Sequence, residues 1–139
     1  MMANIYVVYG AANKGKTTTL GMIRKNLKEK YPSFTERVRY EEDWGDFSVI
    51  LDNINGKKIG IESEGETENL VESLKYFISE KCDIIFCASR TRGFSMNCIK
   101  SYENGNDVEY IKKEYCDDEK KQKSINEKQA KDIISFAEL

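Results

Sequence analysis

Histidine is absent from this chain of 139 residues. Its absence removes the Ser-His and Cys-His pairs in which an imidazole activates a nucleophile. Cysteine is sparse, and Cys82, Cys87, Cys98 and Cys116 show no CxxC spacing. That pattern disfavours a zinc site and predicts free thiols, buried or partly buried. No apolar run reaches the ~18–20 residues needed to cross a bilayer. The opening MMANIYVVYG lacks the basic start and cleavage site of a signal peptide, so the cytoplasm is the expected compartment. Neither sign of charge dominates: 22 Lys and Arg face 24 Asp and Glu, a net charge of -2. The overall balance gives no reason to expect a nucleic-acid partner.

What is present fits one soluble globular domain over residues 1–139, with 40% hydrophobic and 33% charged residues. Asn4 to Tyr9 (NIYVVY) is β-branched and aromatic, as in a buried strand. A glycine-containing turn follows, then Leu20, Ile23, Leu27 and Tyr31 recur at helical spacing until Pro32. Arg37 to Tyr40 reads as a short strand. Asp46–Asp52 and Lys57–Glu62 flank Asn55-Gly56, the strongest short hairpin signal. Glu66 to Lys81 places Leu70, Leu74, Phe77 and Ile78 on one helical face. Asp83 to Ala88 (DIIFCA) has the continuous apolarity of a central parallel strand. Ser95–Tyr102 reads as a short helix, Val108–Tyr115 as a last strand and Asp117–Lys123 as a charged loop. Ser124 with Glu127 then forms the capping box of a final helix. The alternation predicts a three-layer α/β sandwich with a mostly parallel sheet and one antiparallel strand at an edge.

Gly10-Ala11-Ala12-Asn13-Lys14-Gly15-Lys16-Thr17 matches G-x-x-x-x-G-K-[ST] in full, between a strand and a helix. Each part has a physical reason. Gly10 and Gly15 let the backbone turn tightly and approach phosphates, and the loop amides and helix N-terminus supply donors and positive dipole. Lys16 is expected at the β- and γ-phosphates and Thr17 at Mg²⁺. With Thr18, residues Gly10, Ala11, Ala12, Asn13, Lys14, Gly15, Lys16 and Thr17 make the expected nucleotide-binding set. On these residues the chain resembles the P-loop NTPase superfamily, specifically over about its first 30 residues and by element order beyond. The resemblance implies that fold type and Mg²⁺-dependent binding of a nucleoside triphosphate, but no particular reaction.

P-loop enzymes usually hold the metal's water shell with an acid at the end of a neighbouring strand. Glu62 ends an apolar strand here, and its segment Glu62-Ser63-Glu64-Gly65 looks like the D-x-x-G of GTPases with Glu for Asp. Glu62 is therefore expected at the metal, Gly65 near a γ-phosphate, and Glu64 in a catalytic role toward water or a substrate hydroxyl. The alternative is that both carboxylates are solvated turn residues. Asp43 and Asp52 are weaker candidates, Asp52 because acids commonly precede hairpin turns. Arg90 and Arg92 follow a central strand at the edge where α/β ligands bind. They suit a phosphate clamp on a lid, or an exposed loop with two solvated arginines. The guanine-reading N-K-x-D segment is replaced by Ser89-Arg90-Thr91-Arg92, which favours ATP over GTP. Tyr102, Tyr110 and Tyr115 are candidates for stacking on a base, though core packing is the commoner use.

Three functions follow from these residues. One is a kinase-like transfer of the γ-phosphate from Mg-ATP to a small-molecule or nucleotide acceptor. The others are an ATPase or switch protein, and a nucleotide-binding module without turnover.

Overall fold

A computed structural model describes residues 2–139. Its elements run β1 (Asn4–Tyr9), α1 (Lys16–Lys30), β2 (Thr35–Glu41), β3 (Phe47–Ile54), β4 (Lys57–Glu62), α2 (Glu68–Ser79), β5 (Ile84–Ser89), α3 (Phe94–Lys100), β6 (Asp107–Lys112) and α4 (Glu119–Phe136). The strands form one sheet in the order β2-β3-β4-β5-β1-β6. β4, β5, β1 and β6 pair in parallel, and β3 is antiparallel to both β4 and β2. β3 alone therefore runs against the rest. It lies one place in from the edge, and β2 is the edge strand, where sequence patterning expects the reversed strand itself at the margin.

Strand alternation divides the core into two layers. Tyr6 and Val8 of β1, Ile59 and Ile61 of β4, and Phe86 of β5 pack with Leu20, Ile23 and Leu27 of α1 and Ala130 and Ile133 of α4. Ile5, Val7, Ile50 and Ile85 pack on the other face with Leu70, Leu74 and Phe77 of α2 and Ile99 of α3. β5 is buried at every position, which is why its sequence is continuously apolar from Ile84 to Ala88 rather than alternating. The architecture is α/β, with a six-stranded, mostly parallel sheet between helix layers.

Asn55 and Gly56, both at positive φ, join β3 to β4 in a two-residue turn. α1 ends at Lys30, with Tyr31 as its C-cap and Pro32 directly after. The final helix differs from expectation. It starts at Glu119, and its N-cap is Asp118, whose carboxylate accepts from the Lys120 amide. Ser124 and Glu127 are exposed positions inside it and cap nothing. Asp118 satisfies an end amide one and a half turns earlier, and the charged stretch after it continues as helix. No helix among the described residues is long and apolar enough to cross a membrane.

The strand directions bring five segments to one edge of the sheet: residues 10–15 after β1, 42–46 after β2, 63–67 after β4, 90–93 after β5 and 113–118 after β6.

Candidate functional site

The segment from Gly10 to Gly15 arches between β1 and the first turn of α1. Gly15 is the N-cap of α1, with φ 90° and ψ 17°. Its positive φ calls for glycine, and a Cβ there would stand 2.9 Å from Asn126 Oδ1 of α4, a side chain that would have to shift. Lys16 is buried, and its ammonium donates to the carbonyls of Gly10 and, at 3.1 Å, Ala11. Burial holds its pKa below the usual lysine value; Glu66 opposes that shift and Arg90 adds to it.

A cleft of about 720 Å³ opens in front of this loop. Ala12, Asn13, Gly15, Lys16, Thr17 and Thr18 form its floor. Asp46, Ser63, Glu64, Gly65 and Glu66 form one wall, and Gln122 and Asn126 of α4 form the other. Its surface is mainly polar, as suits a charged ligand.

Thr17 Oγ1 donates to Asp46 Oδ1 at 3.0 Å. Ser63 Oγ donates to the same oxygen at 3.2 Å and accepts from the Phe47 amide at 2.8 Å. Asp46 thus ties α1, the start of β3 and the end of β4 together where this wall meets the floor. Sequence reading treats Asp46 only as the first residue of a strand and misses this role. The available signal is its place beside Gly45, where the chain turns before an apolar run.

Glu62 is placed elsewhere. Ile59 and Ile61 point toward α1 and α4, so Gly60 and Glu62 point toward α2. Glu62 is completely buried; it accepts from Ser73 Oγ at 2.6 Å, from the Glu64 amide at 2.8 Å, and from the Tyr40 hydroxyl. Arg39 lies 3.9 Å away and donates to Ser73 Oγ at 2.9 Å. Burial pushes the Glu62 carboxyl up to about 7, with its three hydrogen bonds pulling the other way. Glu62 also drives the Tyr40 phenol well above its usual value, second to the effect of burial itself. The structure brings Glu62 into this closed network and not to the cleft wall.

Glu64 does reach the wall, but its carboxylate also closes its own turn. It accepts from the Glu66 amide at 2.6 Å and from the hydroxyl of Thr67, the N-cap of α2. Gly65 packs so tightly on β5 that a Cβ would stand 2.3 Å from the Ala88 carbonyl oxygen. Arg90 is exposed and forks onto Glu66, with Nε at 2.7 Å and a terminal nitrogen at 3.2 Å. It therefore reaches the rim through Glu66, while exposed Arg92 lies outside the cleft lining. Asp43 is exposed, and Asp52 sits at the opposite end of β3, 3.9 Å from Lys58.

Lys14 lies over the exposed Tyr115 ring, 4.0 Å from its centroid. Tyr102 packs against the α2 layer, and Tyr110 donates to Glu103 at 2.7 Å. Of the three tyrosines, only Tyr115 adjoins the segment after β1, beside Asn13, Lys14 and Gly15. All four cysteines are free; Cys82 and Cys87 are buried, and burial pushes Cys82 up to about 12 and raises Cys87 as well, which disfavours the reactive thiolate at both. Gln122 escapes sequence reading because the stretch before Ser124 reads as a loop, and Asn126 because helical spacing alone does not show that its face of the helix meets Gly15.

No family model, curated protein or solved structure matches this chain.

Proposed function

We propose that the cleft binds Mg-ATP through a P-loop and that the protein transfers the γ-phosphate, as a kinase-like member of the P-loop NTPases. The observation that carries this reading is the convergence of Lys16, Thr17 and Asp46 on one polar cleft at a helix N-terminus. Phosphates would take the amides of residues 13–17, and Lys16 would leave the Gly10 and Ala11 carbonyls for them. That exchange costs little, because the buried ammonium trades two dipoles for formal anions.

The oxygens present fit a magnesium ion. Mg²⁺ prefers hard oxygen donors, takes few from the protein and keeps several waters. Thr17 and Asp46 would supply that contact, with Asp46 in the role that strand position alone assigns to Glu62. Bound there, the ion would neutralise charge developing on the phosphates. Glu64 is placed to orient a hydroxyl once it releases Thr67, and Arg90 to turn from Glu66 to phosphate. ATP is preferred to GTP in this reading, because Ser89-Arg90-Thr91-Arg92 replaces the guanine-reading segment.

Calorimetric titration with Mg-ATP tests the reading. Lys16→Ala should weaken binding roughly 100-fold or more, in line with loss of charge-assisted bonds to phosphate. An unchanged affinity would remove the P-loop reading. Free phosphate without a phosphorylated acceptor would mark the ATPase alternative, and binding without either product the non-catalytic one.

A further inference from the structure

Trp44 is the chain's only tryptophan, and it is 75% exposed. So large an apolar ring is seldom left this open to water. It is nonetheless fixed by its polar end: the indole Nε1 donates to Asp46 Oδ2 at 3.1 Å. The other oxygen of that carboxylate holds Thr17 and Ser63. The turn carrying Trp44 is closed by the Glu42 amide on the Asp46 carbonyl at 2.8 Å and by the Gly45 amide on the Glu42 carbonyl at 3.0 Å. It also packs on α1, where a Cβ at Gly45 would stand 4.0 Å from Thr17 Cγ2. Trp44 is therefore an exposed ring tethered by its indole nitrogen to Asp46, beside the Thr17–Asp46 end of the cleft.

The geometry points to Trp44 as the platform on which the second substrate stacks, and to a planar, uncharged, hydroxyl-bearing molecule of the nucleoside class as that substrate. This rests on the Mg-ATP reading above, because Thr17 and Asp46 mark the γ-phosphate end only if that reading holds. The α4 wall, with Gln122 and Asn126, then takes the nucleoside half of ATP and leaves the Trp44 side for the acceptor. Charge selects within aromatic ligands. Glu42 and Asp43 directly precede Trp44 in the chain, and Glu64 stands on the neighbouring wall beside the Arg90-paired Glu66, so an anionic nucleotide or a nucleic-acid strand meets repulsion where a neutral nucleoside does not. In the transfer, the acceptor hydroxyl oxygen bonds to the γ-phosphorus and gives its proton to the Glu64 carboxylate. The bond from that phosphorus to the β-γ bridging oxygen breaks, and ADP leaves with the electron pair.

Tryptophan emission of the full-length chain tests this, since Trp44 is its sole source. With Mg²⁺ and a non-hydrolysable ATP analogue at saturation, adenosine, cytidine and thymidine are titrated beside glycerol and glucose. Saturable quenching by at least one nucleoside, and none by the ring-free alcohols, is expected. By calorimetry Trp44→Ala should weaken that nucleoside roughly tenfold or more, the scale of one base–aromatic stack. Trp44→Phe should recover most of the affinity, and because both variants lose the indole bond to Asp46 equally, any change in binding of the ATP analogue should be the same in the two. Recovery by phenylalanine separates stacking from the indole bond to Asp46. Absence of nucleoside binding, or an affinity indifferent to Trp44→Ala, overturns the proposal. Titration without the analogue separates the two readings. Trp44-dependent nucleoside binding by a chain that takes no ATP keeps the platform and removes the P-loop function. Normal ATP binding with no nucleoside response does the reverse.

Discussion

The two halves of the sheet are built differently. β5, β1 and β6 are short parallel strands whose central members are apolar on both faces. β2, β3 and β4 form an antiparallel unit that buries a polar network of Tyr40, Ser48, Glu62 and Ser73. Two carboxylates in this second half show what the difference does. Glu62 pairs with Ser48, two residues along β3 from Asp46, so the acids are near neighbours. Glu62 faces α2 and is sealed; Asp46 lies in the turn before β3 and lines the cleft. Glu62 cannot change partners without giving up three donors, one of them fully buried, whereas Asp46 holds its hydroxyl partners at the cleft surface, where the proposed cation would replace them. The face to which a strand residue points, and not its place at the strand's end, decides which acid is available for chemistry.

The largest structural effect is expected at the seam between the halves. Gly65→Ala would drive a methyl into the Ala88 carbonyl, and backbone on both sides leaves no flexible atom to yield. Overpacking of this kind should cost about 3 kcal/mol or more, read as a fall in Tm. A variant with wild-type Tm would mean that residues 63–66 are not packed on β5 as described.

The two acids should then separate cleanly. Asp46→Ala should reduce Mg²⁺-dependent turnover roughly 100-fold while costing on the order of 1 kcal/mol of stability. Glu62→Ala should cost about 3 kcal/mol, because it orphans the Tyr40 and Ser73 hydroxyls and the Glu64 amide. Its ATP affinity should stay within a few-fold of wild type. Denaturant melts beside calorimetric titrations check both, and an exchange of the two phenotypes would restore Glu62 to the metal.

Glu62 also predicts a pH dependence of stability. Its folded pKa of about 7 lies above the ordinary value of 4.5. A carboxyl raised in this way binds its proton more tightly when folded. Its contribution is fully present below about pH 4.5 and is lost as pH rises through about 7. Stability should fall by on the order of 2 kcal/mol between pH 5 and pH 8. Glu62→Gln, which keeps a neutral side chain of the same shape, should flatten that slope. A slope that persists in the variant assigns it to other groups.

Legibility follows the same division. β1, the Gly10–Thr17 motif and α1 are readable because each depends on a few adjacent residues. The β3–β4 turn is readable from Asn55-Gly56 alone. The direction of Glu62 is not, since it depends on which face of the sheet α1 and α2 each cover. The reversed strand is recognisable as part of a hairpin, but β2 beyond it makes that strand internal, a matter of long-range pairing. The start of α4 is obscured by a local rival: Ser124-x-x-Glu127 has the form of a cap, while Asp118 has the geometry of one. That shift conceals the α4 wall of the cleft, because Gln122 then falls in a loop. The cleft floor is legible in the sequence, and so are Glu64 and Gly65 of one wall; Asp46 and the α4 wall are not.

The smallest effect concerns that α4 wall. Gln122 is half-buried and bonds the Cys116 carbonyl at 3.1 Å and, at 3.5 Å, the Tyr115 hydroxyl. In the proposed geometry it meets the nucleoside part of ATP, which does not change as the phosphate moves. A contact made equally in the ground and transition states alters KM and leaves kcat alone. Gln122→Ala should therefore raise KM for ATP by roughly fivefold, the value of one neutral hydrogen bond of about 1 kcal/mol, with kcat unchanged. Asp46→Ala should show the opposite split, its loss falling on kcat. If Gln122→Ala lowers kcat at constant KM, the reacting end of the nucleotide lies against α4. The two walls then exchange roles, and the second substrate has to be sought beside Tyr115 instead of Trp44.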